Sequence, residues 1–309
     1  MSWVFPMSGD TKGISYIVPV YNEAGAVRQT LERLNAVLGG IGLPYEIIAV
    51  NDGSRDDSAR IAAEVDNVRV ISHPVNSGYG SALKTGIRQA RYDWVGIVDA
   101  DGTYPIEELP RLVEKMDQGF DMAVARRSNV FEHDSFLKQV FRKTFIAVVS
   151  LLLDRHVEDP NSGFRLFRRA IAVAFMPFLC NAFSFTTSIT VFTFGAGRFI
   201  SYVPVEYSKR EGRSKVRHLR DSVRTAQLVL QGIMYYNPVK FSILASVLFI
   251  VSGVIPSALL HAAGCSTAGW VVFWSVAVVL ILVSLGLLFD ILRISVIQAN
   301  RSDECDLAY

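Results

Sequence analysis

The stretch ISYIVPVYNEAGAVRQTLERLNAVL, residues 14–38, changes its periodicity once, and that change decides the fold class. Residues 14–21, ISYIVPVY, form a mostly apolar run of the kind found in strands covered on both faces. From Asn22 and Glu23 onward, Val27, Leu31, Leu34 and Leu38 recur at three-to-four spacing, which is the stripe of a helix lying on a core. The alternation continues downstream, with strand candidates YEIIAVND (45–52), VRVIS (68–72), WVGIVDA (94–100) and DMAVARR (121–127) separated by helical patterns. The expected fold class is α/β: a Rossmann-like, mostly parallel sheet covered by helices.

In such sheets ligands bind beyond the carboxyl ends of the strands, so the connections carry the functional information. Pro19-Val20-Tyr21-Asn22-Glu23 follows the first strand, and Asn51-Asp52-Gly53-Ser54-Arg55-Asp56 the second. Each reads either as a ligand loop or as a helix cap, with Asn22, Ser54 or Asp56 accepting the orphan amides. The third connection, HPVNSGYGSA (73–82), puts Gly78 and Gly80 just before a helix, an arrangement that lets backbone amides approach a phosphate. It is neither a Walker A loop nor a complete dinucleotide fingerprint, because Leu83 stands where a third small residue belongs.

The fourth connection is Val98-Asp99-Ala100-Asp101-Gly102. Residues two apart in an extended segment face the same way, so Asp99 and Asp101 converge. Adjacent carboxylates repel unless a cation lies between them, and hard oxygen ligands suit Mg²⁺ or Mn²⁺, which in turn bridges a diphosphate. The alternative is an Asx-turn leading into Tyr104-Pro105.

Half of the 309 residues are hydrophobic, 19% are charged and the formal net charge is +2, which excludes a disordered chain and a highly basic nucleic-acid binder. The mean hydropathy of +0.30 is high for a soluble enzyme, and the excess is concentrated. FSILASVLFIVSGVIPSALLH (241–261) and WVVFWSVAVVLILVSLGLLF (270–289) contain no charge, and each has about the ~20 residues a helix needs to cross a bilayer. A helical hairpin with spans at about 241–261 and 270–292 and a short tail is therefore expected in 238–309, after a catalytic-sized domain in 1–237. Lys240 before the first span and Arg293 and Arg301 after the second place that domain and both termini on the cytoplasmic side. The N-terminal MSWVFPMSGDTKG has neither the basic nor the apolar segment of a signal peptide. Three scattered cysteines, Cys180, Cys265 and Cys305, make no disulfide framework or zinc cluster and suit a reducing compartment. The five histidines show no ligand spacing and are read as non-functional.

Two further stretches, FLKQVFRKTFIAVVSLLL (136–153) and LRDSVRTAQLVLQGIMYY (219–236), combine cations with long apolar faces. They read as core helices or as juxtamembrane helices at the bilayer interface. Between them SKREGRSKVRHLR (208–220) holds six Lys or Arg against one Glu, either a solvated face or a site for lipid headgroups or a diphosphate.

Taken in order, PVYNE, NDGSRD, NSGYGSALKTG and DAD resemble the glycosyltransferase family 2 domain, the nucleotide-sugar-binding GT-A fold. The later DPNSGFR (159–165) and GRSK (212–215), followed by a two-span hairpin, are similar to the polyprenyl-phosphate glycosyltransferases, the group of dolichyl-phosphate mannose and glucose synthases. The resemblance implies transfer of a monosaccharide from UDP-glucose, GDP-mannose or UDP-N-acetylglucosamine to undecaprenyl or dolichyl phosphate. It also implies Mg²⁺ or Mn²⁺ and a single inverting displacement.

By the same resemblance Pro19, Tyr21, Glu23 and Asp52 match positions that hold base and ribose, and Gly78 and Gly80 belong to the donor loop. Asp99 and Asp101 match the metal and diphosphate motif. Arg127 matches an arginine facing the lipid phosphate, Arg142 a second, and Asp159 and Arg165 lie in the loop near the reaction centre. The family often has arginine three residues before the glycine of G-x-S-K; here Lys209 stands there with Arg210 beside it, and these two with Lys215 are the candidate cations at the donor diphosphate.

A phosphate monoester acceptor is already anionic, so the site must chiefly supply positive charge to hold two anions together and to stabilise the leaving diphosphate. Asp159 orients an arginine or the sugar, or acts as a base. Membrane lipids are implied partners, nucleic acid is not, and the small residues Gly253, Ser257 and Ala258 permit a homo-oligomer. Two other readings exist. A processive polysaccharide synthase is disfavoured because Gln139-Val140-Phe141-Arg142-Lys143 lacks that group's tryptophan. A non-catalytic nucleotide-sugar-binding scaffold requires an idle carboxylate pair.

Overall fold

The structure, a computed structural model, describes residues 12–129, 136–208, 227, 230–232, 234–264 and 268–306. It divides into two compact units, Met1–Val229 and Leu230–Tyr309. The division lies a few residues before the expected boundary at 237.

The first unit is built on β1 (Ile14–Val20), every residue of which is buried. It pairs in parallel with β2 (Tyr45–Asn51) on one side and β4 (Trp94–Ile97) on the other, and β3 (Val68–Ser72) extends the sheet beyond β2. The remaining strands are β5 (Met122–Arg127), β6 (Arg165–Arg168) and β7 (Ile200–Val205), and the order is β3-β2-β1-β4-β6-β5-β7. One strand departs from the parallel pattern: β6 lies antiparallel between β4 and β5. Tyr16 is wholly buried across β4, and a Cβ on Gly96 would come within 2.1 Å of its ring, so only glycine lets the two strands carry that side chain between them.

The helices are α1 (Val27–Ile41), α2 (Ser58–Ala63), α3 (Tyr79–Gln89), α4 (Leu109–Asp117), α5 (Phe136–Leu153), α6 (Arg169–Ala174) and α7 (Phe185–Gly195). The stripe Val27, Leu31, Leu34 and Leu38 is buried as its spacing predicts. α1 begins later than Asn22, however, because Asn22 is left-handed at φ 52° and residues 22–26 form a loop closed by the Glu23 carbonyl, which accepts from the amides of Ala26 and Val27. α5 spans the predicted 136–153, with Val140, Val148 and Leu151 exposed.

The second unit contains α8 (Pro238–Phe249), a π-helical turn (Ile250–Val254), α9 (Ile255–Ala262) and α10 (Ala268–Asp306). Two segments, Pro238–Ala262 and Trp270–Leu292, are long and apolar enough to cross a membrane, in agreement with the hydropathy reading. The wide turn comes just before Pro256, which has no amide to return to the preceding turn. Among the described residues, the buried polar side chains of this unit are small: Ser242 and Ser246 on α8 and Ser275 on α10. A Cβ on Gly286 would come within 2.3 Å of Ser242 Oγ, so the backbones approach closely there. Beyond the second apolar segment the chain stays helical to Asp306, where a short tail was expected.

Lys209, Arg210 and Lys215, the basic run 209–220 and most of 219–236 lie outside the described residues, as do residues 1–11.

Candidate active site

The first two connections are fastened to each other. The Asn22 amide donates to Ser54 Oγ at 3.0 Å, and Asn22 Oδ1 accepts from the Arg55 amide at 2.8 Å. The Glu23 amide donates to Ser58 Oγ at 2.8 Å and the Ala24 amide to Asp56 Oδ2 at 3.2 Å. The capping alternative survives only at Asp56: α1 and α2 have Ala26 and Asp57 at their N-caps, neither with a side-chain cap, and Asn22 and Ser54 bind across to the neighbouring loop, while Asp56 also accepts from the Ser58 amide at 3.1 Å at the start of α2. Pro19 is buried at the end of β1, and Tyr21 and Glu23 are half-buried beside it.

Asp52 faces the third connection. Its carboxylate accepts from the amides of Ser77 and Gly78, each at 2.8 Å, and Oδ1 is 2.8 Å from His73 Nδ1. The far nitrogen of His73 is 2.9 Å from Thr85 Oγ1, so an imidazole dismissed in the sequence links this aspartate to α3.

The phosphate-cradle reading of Gly78 and Gly80 is also corrected. The Gly78 amide is committed to Asp52, and the Ser81 amide donates to the Asn181 carbonyl at 3.0 Å. A Cβ on Gly80 would lie 2.1 Å from the Cys180 carbonyl oxygen, and Gly78, at φ +104°, faces the Asn181 oxygen in the same way. Both glycines admit a neighbouring stretch of protein backbone. Lys84 is buried beneath them with Nζ 2.7 Å from Asn181 Oδ1, and burial pushes its pKa down.

β4 ends at Ile97, three residues short of the predicted strand, and the chain turns at Ala100 and Asp101. The two carboxylates thus do not share one extended segment. Asp101 Oδ1 accepts from Thr103 Oγ1 at 2.6 Å and from its amide at 3.2 Å, which is the Asx-turn of the alternative reading. Asp99 Oδ1 accepts from Tyr79 Oη at 2.9 Å, and its carboxylate lies on Gly163, where a Cβ would come within 2.4 Å of Oδ2. Among the described residues no group of three or more His, Cys, Asp or Glu gathers as a metal cage. Two carboxylates at one strand end nevertheless suit a hard divalent ion whose other ligands come from a diphosphate and water.

Opposite this pair, Arg127 at the end of β5 meets Asp159. Nε and Nη2 of Arg127 each lie 2.8 Å from a different oxygen of Asp159, and the Arg127 amide donates to the same carboxylate at 3.2 Å. The guanidinium carbon is 5.4 Å from the centroid of the Tyr207 ring, which in turn meets Tyr104 edge-on at 5.0 Å. Tyr104 Oη accepts from the Gly163 amide at 2.8 Å. Burial alone would raise the Asp159 pKa, but the charge and hydrogen bonds of Arg127 outweigh it, with Arg142 adding in the same sense, and hold the carboxyl below its ordinary value. Burial likewise disfavours the Arg127 cation, yet Tyr104 and Asp159 push its pKa well up.

Arg165 was expected near the reacting atoms, and its surroundings correct that expectation. It is 0% exposed, with Nε 3.0 Å from the Ser162 carbonyl and Nη2 3.1 Å from that of Pro160. Nη1 lies 3.0 Å from the Thr186 carbonyl and 2.9 Å from Thr190 Oγ1. It anchors the loop that carries Asp159 and Gly163, and burial lowers its pKa. Sequence reasoning missed His73, Tyr79, Tyr104 and Tyr207, although His73 and Tyr79 stood inside the third connection and Tyr104 just after the fourth.

Sheet order, the single antiparallel strand and an acidic pair at the end of the central strand define a GT-A fold. Glucosyl-3-phosphoglycerate synthase from Mycobacterium tuberculosis, solved with Mn²⁺, UDP-glucose and phosphoglyceric acid, has the same fold: the TM-score is 0.60 at 19% identity, over 72% of this chain and 80% of that one. Residues 15–174 match the family Glycosyl transferase family 2, and the chain belongs to it. Among curated relatives, the undecaprenyl-phosphate 4-deoxy-4-formamido-L-arabinose transferase of Klebsiella pneumoniae is 33% identical over 215 residues, covering 68% of this chain and 64% of that protein. The protein of the same name from Pectobacterium atrosepticum is 36% identical over 192 residues, 58% of each chain. The matches span less than two thirds of these relatives' length.

Proposed function

We propose that the protein transfers one monosaccharide from a nucleotide sugar to the phosphate of a membrane polyprenyl phosphate, undecaprenyl phosphate or a relative of it. The observation that carries this reading is that one loop holds both Asp159, which pairs with Arg127, and Gly163, on which the Asp99 carboxylate packs, so that a cation for an acceptor phosphate and a carboxylate for a donor diphosphate meet the same loop. The names of the relatives and the two apolar C-terminal segments support a lipid-linked acceptor. The positive charges flanking those segments support a cytoplasmic catalytic unit.

In this reading Asp99 and Asp101 would hold Mg²⁺ or Mn²⁺, which when bound acts as Lewis acid toward the leaving diphosphate. Arg127, with Arg142 near it, neutralises the acceptor phosphate through paired donors. Asp159 holds Arg127 in place: a carboxylate with both oxygens engaged and a depressed pKa is a poor base, and an anionic acceptor needs none. Pro19, Tyr21 and Glu23 line the base and ribose site, and Asp52 acts there through the loop it fastens. Lys209, Arg210 and Lys215 supply cations at the donor diphosphate. Attack in line with the departing diphosphate inverts the anomeric carbon.

The test uses the purified full-length chain in detergent with a short polyprenyl phosphate. The donors are UDP-glucose, GDP-mannose, UDP-N-acetylglucosamine and nucleotide-linked 4-deoxy-4-formamido-L-arabinose, with Mg²⁺, Mn²⁺ or EDTA. Lipid-linked monosaccharide that disappears with EDTA and in Asp101→Ala is the expected result. Product that survives both removes the metal assignment, long polymer indicates a processive synthase, and no product with any donor indicates a scaffold.

A further inference from the structure

Tyr79 opens α3, and its ring is held by a segment that arrives from far along the chain. Gly78 and Gly80 leave room for the backbone of Cys180 and Asn181, the Ser81 amide donates to the Asn181 carbonyl at 3.0 Å, and Lys84 Nζ reaches Asn181 Oδ1 at 2.7 Å. The segment so seated carries Phe183, whose ring stacks on that of Tyr79 with centroids 5.7 Å apart and planes 15° apart. The supported ring delivers its hydroxyl to Asp99 Oδ1 at 2.9 Å. From another side Asp99 is bounded by Gly163, whose missing Cβ would stand 2.4 Å from Oδ2.

An aspartate left to itself turns freely, because rotation about its terminal torsion is broad. A phenol on one oxygen and a backbone wall against the other restrict the carboxylate plane. Residues that fix a ligand in this way strengthen metal binding, because the ligand gives up little freedom when the ion arrives.

We propose that Tyr79 is a positioning residue for Asp99, fixing the carboxylate in the plane in which it meets the divalent ion of a bound nucleotide diphosphate, with Phe183 as the prop that keeps the phenol in place. The proposal rests on the reading of Asp99 and Asp101 as the metal-holding pair. It also gives the two glycines of NSGYG a purpose, since they seat the segment that steadies Tyr79.

The experiment titrates Mn²⁺ into the full-length chain in detergent, with UDP and separately with GDP, and follows unbound Mn²⁺ by electron paramagnetic resonance. Tyr79→Phe keeps the ring and removes only the hydroxyl; it is expected to weaken Mn²⁺ binding about tenfold with an unchanged thermal midpoint. Phe183→Ala weakens it in the same direction by a smaller factor. The transfer rate of Tyr79→Phe recovers in excess Mn²⁺. Wild-type Mn²⁺ affinity in Tyr79→Phe, or a rate that stays low at saturating Mn²⁺, overturns the proposal and leaves the metal reading standing. A wild-type chain that binds no Mn²⁺ with either nucleotide overturns both.

Discussion

Asp159 and Arg127 lie 32 residues apart in sequence and meet oxygen to nitrogen at 2.8 Å in two places, with neither side chain more than 13% exposed. The pairing makes the carboxylate an organiser of the cation, which is the more conservative of the roles its motif suggested.

That role has a pH signature. The folded pKa of Asp159 is depressed, so its contribution to stability is present above the ordinary aspartate value and is lost as pH falls through the lower folded value. Asp159→Asn leaves a nearly buried guanidinium without its counterion and is expected to cost about 3 kcal/mol at neutral pH. Urea unfolding across a pH series should show the gap between wild type and variant closing on acidification. A constant gap would contradict the assignment.

Arg165→Lys should be destabilising out of proportion to its conservatism. One ammonium cannot reach the carbonyls of Pro160, Ser162 and Thr186 together with Thr190 Oγ1, so buried acceptors are left unpaired. A loss of about 3 kcal/mol is expected, read as a lowered unfolding midpoint. A variant that unfolds like wild type and yet fails to transfer sugar would return Arg165 to the reacting atoms.

His73→Ala removes the nitrogen 2.8 Å from Asp52 and the link to Thr85. The donor KM is expected to rise about tenfold, the effect of losing one charge-assisted hydrogen bond, with the acceptor KM unchanged. His73→Asn offers an amide close to the position of the lost Nδ1 and should recover part of the difference. Steady-state kinetics with each substrate varied in turn separates these outcomes.

Gly286→Leu should disrupt the second unit, because even its Cβ meets Ser242. Ser242→Ala is expected to be nearly neutral, and combining it with Gly286→Leu should relieve little, since the larger side chain still meets the Pro238 carbonyl region 3.4 Å from that Cβ. Thermal unfolding in detergent distinguishes the three variants.

The strands and helices whose burial follows a simple period were legible in the sequence: VRVIS is β3 residue for residue, and FLKQVFRKTFIAVVSLLL is α5. What escaped was set by distant partners. RLFR is short and carries an arginine at each end, so nothing in it advertised a strand; β6 exists because β4 and β5 supply ladders on both sides. Arg165 looked functional because it closes the DPNSGFR motif, and only the carbonyls converging on it explain its place. Tyr79 and His73 act through side chains 20 and 21 residues away, just beyond the ends of β4 and β2, which no local pattern encodes.

The position of β6 also gives the sheet a history. Strands β3, β2, β1 and β4 are neighbours in space and all come from residues 14–97, whereas β6, β5 and β7 come from residues 122–205. The halves are joined along one ladder, from Trp94 opposite Arg168 to Ile97 opposite Arg165. A ribosome adding roughly 5–20 residues per second completes the first half several seconds before the apolar segments emerge. Until Arg165–Arg168 follow, β4 is an open edge, the kind of surface on which chains stick to one another. Arg165–Arg168, the strand that closes this edge, is complete in the growing chain before the apolar segments are made.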